Sequence, residues 1–283
     1  MRTICILSIL LVATSCDWKS DGAGRMAELY PEPSVDVQTE DTPPESDTIV
    51  TIDIGGGSDI SLADLDGAWA MEMKLPGTME LFPGFPPYAL KLTNRFVVEI
   101  SADKASLTFC HQIAFLDADG TGATEMIPDT EDAIGKESII LMLAEGIGIT
   151  AQKVVWTWGL KEMANPETDP LPENPEDPIV WDQDDDDHPG VSINVSNPTG
   201  IRYMVRRGIW NLQPPAINQV GDHMTGTLTF QVHEGAVGYD GPKTLKTIIP
   251  IVSDPGGGTY QLVRNDGSIT CQQLRQDNPG VFK

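Results

Sequence analysis

Arg95-Phe-Val-Val-Glu-Ile-Ser-Ala-Asp-Lys-Ala-Ser-Leu-Thr-Phe-Cys-His-Gln-Ile-Ala-Phe115 decides the fold. Phe96, Val98 and Ile100 alternate with Arg95, Val97 and Glu99. After Ala102-Asp-Lys-Ala105, which reads as a turn, Leu107, Phe109, His111, Ile113 and Phe115 recur at every second position. Successive side chains of a strand point to opposite faces, so a period of two marks each run as a strand with one apolar face. On this register Cys110 points away from Phe109, beside Thr108 and Gln112. The stretch therefore predicts two antiparallel arms joined by a short turn.

The same pattern extends outward. Val154, Trp156, Trp158 and Leu160 alternate over Lys153 to Leu160, and Val191, Ile193 and Val195 begin a second half. Tyr203, Val205 and Ile209 then oppose Met204, Arg206 and Trp210. Leu228, Phe230 and Val232 mark another strand, Lys246 to Val252 a further one, and Tyr260, Leu262 and Arg264 a hairpin arm turned at Asn265-Asp-Gly267. The last strand is expected over Ser268 to Leu274. Lys136 to Gly146 fits either a short helix or a buried strand, and Asp117-Ala-Asp-Gly-Thr121 reads as a turn. Nine to eleven short strands with turn residues between them predict an all-β antiparallel barrel or sandwich over residues 61–283, as one domain.

At the head of the first alternating run stands Gly67-Ala-Trp69. This G-x-W resembles the opening strand of lipocalin-type barrels, whose tryptophan closes the barrel floor. The resemblance implies a lumen, lined by residues such as Phe109, His111, Trp156 and Trp158, that carries a small apolar ligand.

The amino terminus predicts an address. Met1-Arg-Thr-Ile-Cys-Ile-Leu-Ser-Ile-Leu-Leu-Val12 is a basic start followed by an apolar run too short to span a bilayer. It ends in Val12-Ala-Thr-Ser-Cys16, which resembles the lipobox of bacterial lipoproteins, with Ala13 where that family most often has Leu. The resemblance implies a signal peptide over 1–15, lipidation at Cys16, and anchoring to a membrane of the cell envelope. Asp17 is similar to an inner-membrane retention signal, while the membrane and face stay open. Residues 17–59 hold eleven acids, two bases and few apolar side chains, so residues 16–60 are expected to form a lipidated, disordered tether.

Charge excludes one class of partner. Eleven further acids and no base fall in 162–187, so these two segments carry most of the formal net charge of −24 and the remainder has no basic nucleic-acid footprint. The proline-rich insertion from Glu162 to Pro178 is expected to project from the domain. With Cys5 in the signal and Cys16 lipidated, Cys110 and Cys271 remain as an exported pair, predicting a disulfide across a loop worth on the order of 5 kcal/mol.

The most specific chemistry lies in Trp181-Asp-Gln-Asp-Asp-Asp-Asp-His-Pro-Gly-Val191. Carboxylates at Asp182, Asp184 and Asp186, with Asp187, alternate as hard-cation loops require, which predicts a structural Ca²⁺ site. The loop resembles those of thrombospondin type 3 and dockerin-like modules, and the D-x-D-G-D-G-x-P-G-V segments of uncharacterised Gram-negative lipoproteins. Asp185 and Asp187 replace the glycines of that pattern. His111, His188, His223 and His233 lack ligand spacing, and no G-x-S-x-G, H-E-x-x-H, Walker or Rossmann pattern occurs. Two expectations result: a non-enzymatic envelope module with a structural or protein-interaction role, or a lipocalin-like carrier. An open cavity favours the carrier, and packed rings favour the module.

Overall fold

The computed structural model describes residues 61–80, 86–116, 124–136, 138–144, 148–149, 152–196, 198–276 and 280–282. The expected signal peptide, Cys16, tether and the turn at Asp117–Thr121 lie outside the described residues. In chain order the elements are α1 (Leu62–Leu65), β1 (Gly67–Met79), β2 (Tyr88–Ser101), β3 (Lys104–Leu116), β4 (Thr124–Met126), α2 (Pro128–Gly135), β5 (Ile139–Ala144), β6 (Gly148–Ile149) and β7 (Gln152–Trp158). They continue with β8 (Val191–Ser196), β9 (Thr199–Leu212), β10 (Ala216–Ile217), β11 (His223–Asp240), β12 (Ile251–Ser253), β13 (Gly258–Arg264) and α3 (Cys271–Leu274).

The sheet is an antiparallel barrel. Pairing runs β11-β13-β1-β2-β3-β4-β8-β9 and returns from β9 to β11. Two staves are interrupted. β4 and β5 both pair with the same edge of β3, at Ile113–Ala114 and at Lys104–Leu107, with α2 between them. Likewise β7 and β8 share one edge of β9, at Arg206–Leu212 and Thr199–Met204, with the acidic insertion between them. Counted as staves, the described residues make eight in sequential up-and-down order. The gaps face each other: β4 pairs with β8 on one side of them, and on the other the Gln152 amide bonds both the N–H and the carbonyl of Met142, linking β7 to β5.

Helix α2 fills its gap because its sequence starts a helix there. Pro128 takes the first turn, where no N–H is needed, and Asp129 and Glu131 favour the amino-terminal end of the dipole. Ile134 enters the interior core, and Glu131 Oε1 accepts from the Gln112 N–H at 3.1 Å, satisfying a backbone donor in the gap.

One half of the interior is packed with rings. Trp156 lies 4.6 Å from Trp158, 5.1 Å from Phe109, 5.3 Å from Trp210 and 6.0 Å from Phe96, centroid to centroid. These tilted and edge-on contacts suit aromatic quadrupoles. Trp69 is fully buried near α1, its Nε1 donates to Leu65 O at 2.8 Å, and Arg264 from β13 lies 4.9 Å over its ring.

Three expectations about the strands and their faces need correction first. His111 does not share Phe109's face: Arg95 pairs with His111 and Phe96 with Phe109, leaving Cys110 as a bulge. A bulge reverses the faces of the residues after it. Gln112 and Ala114 thereby turn inward, and His111 meets α2, with Nδ1 2.7 Å from Glu131 Oε1. Ser268–Leu274 is not a strand. Thr270 and Gln273 form a capping box that opens α3, and Asn265-Asp-Gly267 is a loop into it in which Asn265 Oδ1 accepts from Gly267 N–H at 2.7 Å. Lys246–Val252 is mostly not strand either: Lys243–Lys246 is a 3-10 turn, and β12 covers only Ile251–Ser253.

The Cys110–Cys271 disulfide is present, with Cα atoms 4.8 Å apart. It seats α3 on the outer face of the sheet, where Leu274 packs with Ala70 and Cys110. Arg95 Nη1 donates to Leu274 O at 2.9 Å and to Gln276 O at 2.6 Å, and Arg275 bonds both Cys110 O and Glu131.

The acidic insertion does not project. Met163, Leu171, Ile179 and Val180 pack with Leu160, Tyr203, Val205 and Val237 on the barrel's outer face. Buried Arg207 donates to Asp169 O at 2.6 Å and Pro166 O at 3.3 Å. A few spaced apolar residues and one cation thus dock a segment whose average composition is that of a coil. Leu160 belongs to this outer cluster because Gly159, at φ +65°, breaks the alternation that begins at Val154.

Candidate functional site

Opposite the ring-filled half, the barrel holds a cavity of about 560 Å³. Leu90, Leu92, Met126, Ile193, Val195 and Met204 supply apolar wall, and exposed Pro198, Thr244 and Thr247 lie at its rim. Its volume falls within the roughly 300–1,000 Å³ of small-molecule sites.

A polar group sits among these apolar residues. Arg206, at 7 % exposure, pairs through Nε with Glu234 Oε1 at 2.8 Å, donates through Nη1 to Gln112 Oε1, and places its guanidinium 4.7 Å over the Trp158 ring. Arg202 also lines the cavity, with Nε donating to Leu245 O at 2.8 Å. Burial lowers the Arg202 pKa from its ordinary value; Glu234 opposes that shift and Arg206 adds to it.

The cavity residues follow from strand register. Met204, Arg206 and Trp210 share the inward face of β9, and Leu228, Phe230, Val232 and Glu234 that of β11, where Glu234 stands directly across from Arg206. The sequence signal was a charge at period two within each apolar face.

Of the expected lumen residues, Phe109, Trp156 and Trp158 pack against one another and His111 faces α2, so none of the four lines this cavity. The rings and the opening are both present, in different halves of one barrel.

The acidic loop occupies the other gap in the wall. Its neck closes where β7 leaves and β8 enters: Trp181 N–H donates to Gly159 O, Gly190 N–H to Trp181 O, and Gly159 N–H to Gln183 Oε1 at 2.7 Å. A Cβ on Gly190 would lie 2.4 Å from Met204 O at a φ of +91°, so the crossing needs glycine.

Within the loop, oxygens of Asp182, Asp184 and Asp186 all lie within 4.8 Å of one another. Asp184 Oδ2 accepts from Thr130 Oγ1 of α2 at 2.5 Å and from Ser192 N–H at 2.9 Å, which ties the loop to the α2 gap. Its Oδ1 is buried without a hydrogen-bond partner among the described residues. Burial is the largest cause of a raised Asp184 pKa; the Thr130 and Ser192 bonds oppose it, and Asp186 adds to it. Asp182 accepts from the N–H groups of Asp186 and Asp187, at 3.2 and 3.0 Å. Asp187 contributes backbone but lies outside the carboxylate cluster. Asp185 and Asp187 adopt φ of 55° and 66°, the left-handed conformation that glycine would ease and that Asp tolerates better than most residues.

No histidine joins this cluster; His188 stacks on Tyr203 at 4.1 Å. Among the described residues no helix is long and apolar enough to cross a membrane. No protein-family model matches the chain, and comparison with curated proteins and with solved structures returned no match.

Proposed function

We propose that this protein is a non-enzymatic binding module of the cell envelope, a lipid-anchored β-barrel that takes up a small, largely apolar ligand. The single observation carrying this reading is the cavity of about 560 Å³ beside a ring-packed half that gives it a rigid floor. Anchoring through Cys16 rests on the lipobox resemblance alone. The test uses N-phenyl-1-naphthylamine, an apolar fluorophore, with the purified chain and an Ala114→Trp variant; Ala114 lines the cavity, and an indole there obstructs it. Saturable 1:1 binding that the variant loses while keeping its circular dichroism is expected. Absence of saturable binding, or equal binding by both proteins, would refute the carrier.

The acidic loop supports a second, structural role. Three carboxylates whose oxygens lie within 4.8 Å can share one Ca²⁺ at its usual ligand distance of about 2.4 Å, and Asp184 Oδ1 is a buried acceptor without a partner among the described residues. Asp182, Asp184 and Asp186 would hold the ion. It would offset their mutual repulsion and pin the outer arm to α2 through Thr130. Calorimetry with Ca²⁺ should show one site in the native chain and none in Asp184→Ala; no heat in either would end the proposal.

A further inference from the structure

We infer that the ligand of the barrel cavity is a single-chain amphipath with an anionic head, held by Arg202, Arg206 and Gln112. This rests on the carrier reading and adds to it the chemistry of the head group.

Charge inside the cavity does not cancel. Arg202 and Arg206 are two cations, and among the described residues that line it only Glu234 opposes them. Glu234 is engaged by Arg206 through both Nε and Nη2. Among the described residues Arg202 hydrogen-bonds only the neutral carbonyls of Leu245 and Thr247. A cation taken out of water is costly unless an opposite charge replaces hydration. The excess positive charge is notable in a chain of formal net charge −24.

Gln112 supplies a neutral donor. It is 4 % exposed and lines the cavity. A guanidinium only donates, so the amide oxygen must face Arg206 Nη1, which fixes Nε2 as the other end. Nε2 has donor hydrogens and no partner among the described residues. An anionic oxygen would satisfy it, whereas an ammonium head would find donors facing donors. The remaining wall, Leu90, Leu92, Met126, Ile193, Val195 and Met204, offers an acyl chain apolar contact without further hydrogen-bonding demand.

The test compares ligands that share a twelve-carbon chain: laurate, dodecyl phosphate and dodecanol, titrated into the native chain above the carboxyl pKa. At least one anionic ligand should bind about tenfold or more tightly than the alcohol, as expected for one charge-assisted hydrogen bond in a buried site. The better of the two anions identifies the head as carboxylate or phosphate. Arg202→Gln should weaken the anions and leave dodecanol unchanged, and Glu234→Gln should strengthen the anions, so the prediction survives if one variant folds poorly. Dodecanol binding as tightly as both anions, or Arg202→Gln weakening all three equally, would overturn the head-group assignment while leaving the carrier in place. Binding of none of the three would overturn both.

Discussion

Removing the disulfide offers a measurement whose size follows from where the bond sits. Cys110 lies on β3 and Cys271 opens α3, with a sequence separation of 161. In the chain-entropy model, closing a loop of that length destabilises the unfolded state by about 5 kcal/mol. The folded side should change little in a Cys110→Ala/Cys271→Ala variant, because Arg95 still bonds the Leu274 and Gln276 carbonyls and Arg275 still bonds Cys110 O and Glu131. Those contacts leave most of the loss on the unfolded chain, so a destabilisation of about 3–5 kcal/mol is expected, or roughly 6–20 °C for a domain of this size. Urea unfolding under non-reducing conditions would measure it. The m-value should rise in the variant, since an unlinked chain exposes more surface on unfolding. A loss below about 1 kcal/mol with an unchanged m-value would refute the reasoning.

Three other outcomes follow from particular contacts. Trp156→Ala, which removes the ring shared by Phe96, Phe109, Trp158 and Trp210, should cost about 3–5 kcal/mol in urea unfolding. Arg207→Ala should release the acidic arm from the Pro166 and Asp169 carbonyls, costing about 1.5–3 kcal/mol and making residues 161–180 susceptible to limited proteolysis while the barrel persists. Asp184 has a direction with pH. Its folded pKa is raised, so the fold holds that proton more tightly than the unfolded chain does; its contribution favours folding below the unfolded value and is lost as pH rises through the folded one. In chelator, the difference in thermal midpoint between the native chain and Asp184→Asn should therefore move against the native chain from acid to neutral pH. Calcium should reverse that trend.

The barrel was legible because its signal is local. Phe96, Val98 and Ile100, or Leu228, Phe230 and Val232, show their period of two without knowledge of any partner strand, and Gly67-x-Trp69 marked the first stave correctly as a strand start. The position of His111 was not legible, since an alternating pattern carries no mark of a bulge, and one extra residue at Cys110 exchanges the faces of everything after it. Helix α3 was readable from Thr270 and Gln273 as a capping box, yet the apolar alternation around Cys271 imitated a strand. The docked arm was hidden because composition averages over Met163, Leu171, Ile179 and Val180, four contacts in a polar segment. The acidic cluster was visible as spacing, but its tie to Thr130 joins residues 54 positions apart and depends on the interrupted wall. Arg206 and Glu234 were visible as charges on apolar faces. Their meeting across β9 and β11 required the pairing register.

The most direct test of ligand uptake is native mass spectrometry of the purified chain after incubation with laurate, beside Ala114→Trp treated identically. A single 1:1 adduct on the native chain, absent from the variant, is the predicted result. A native chain that carries no adduct, or a variant that carries as much, would contradict a binding site in the barrel.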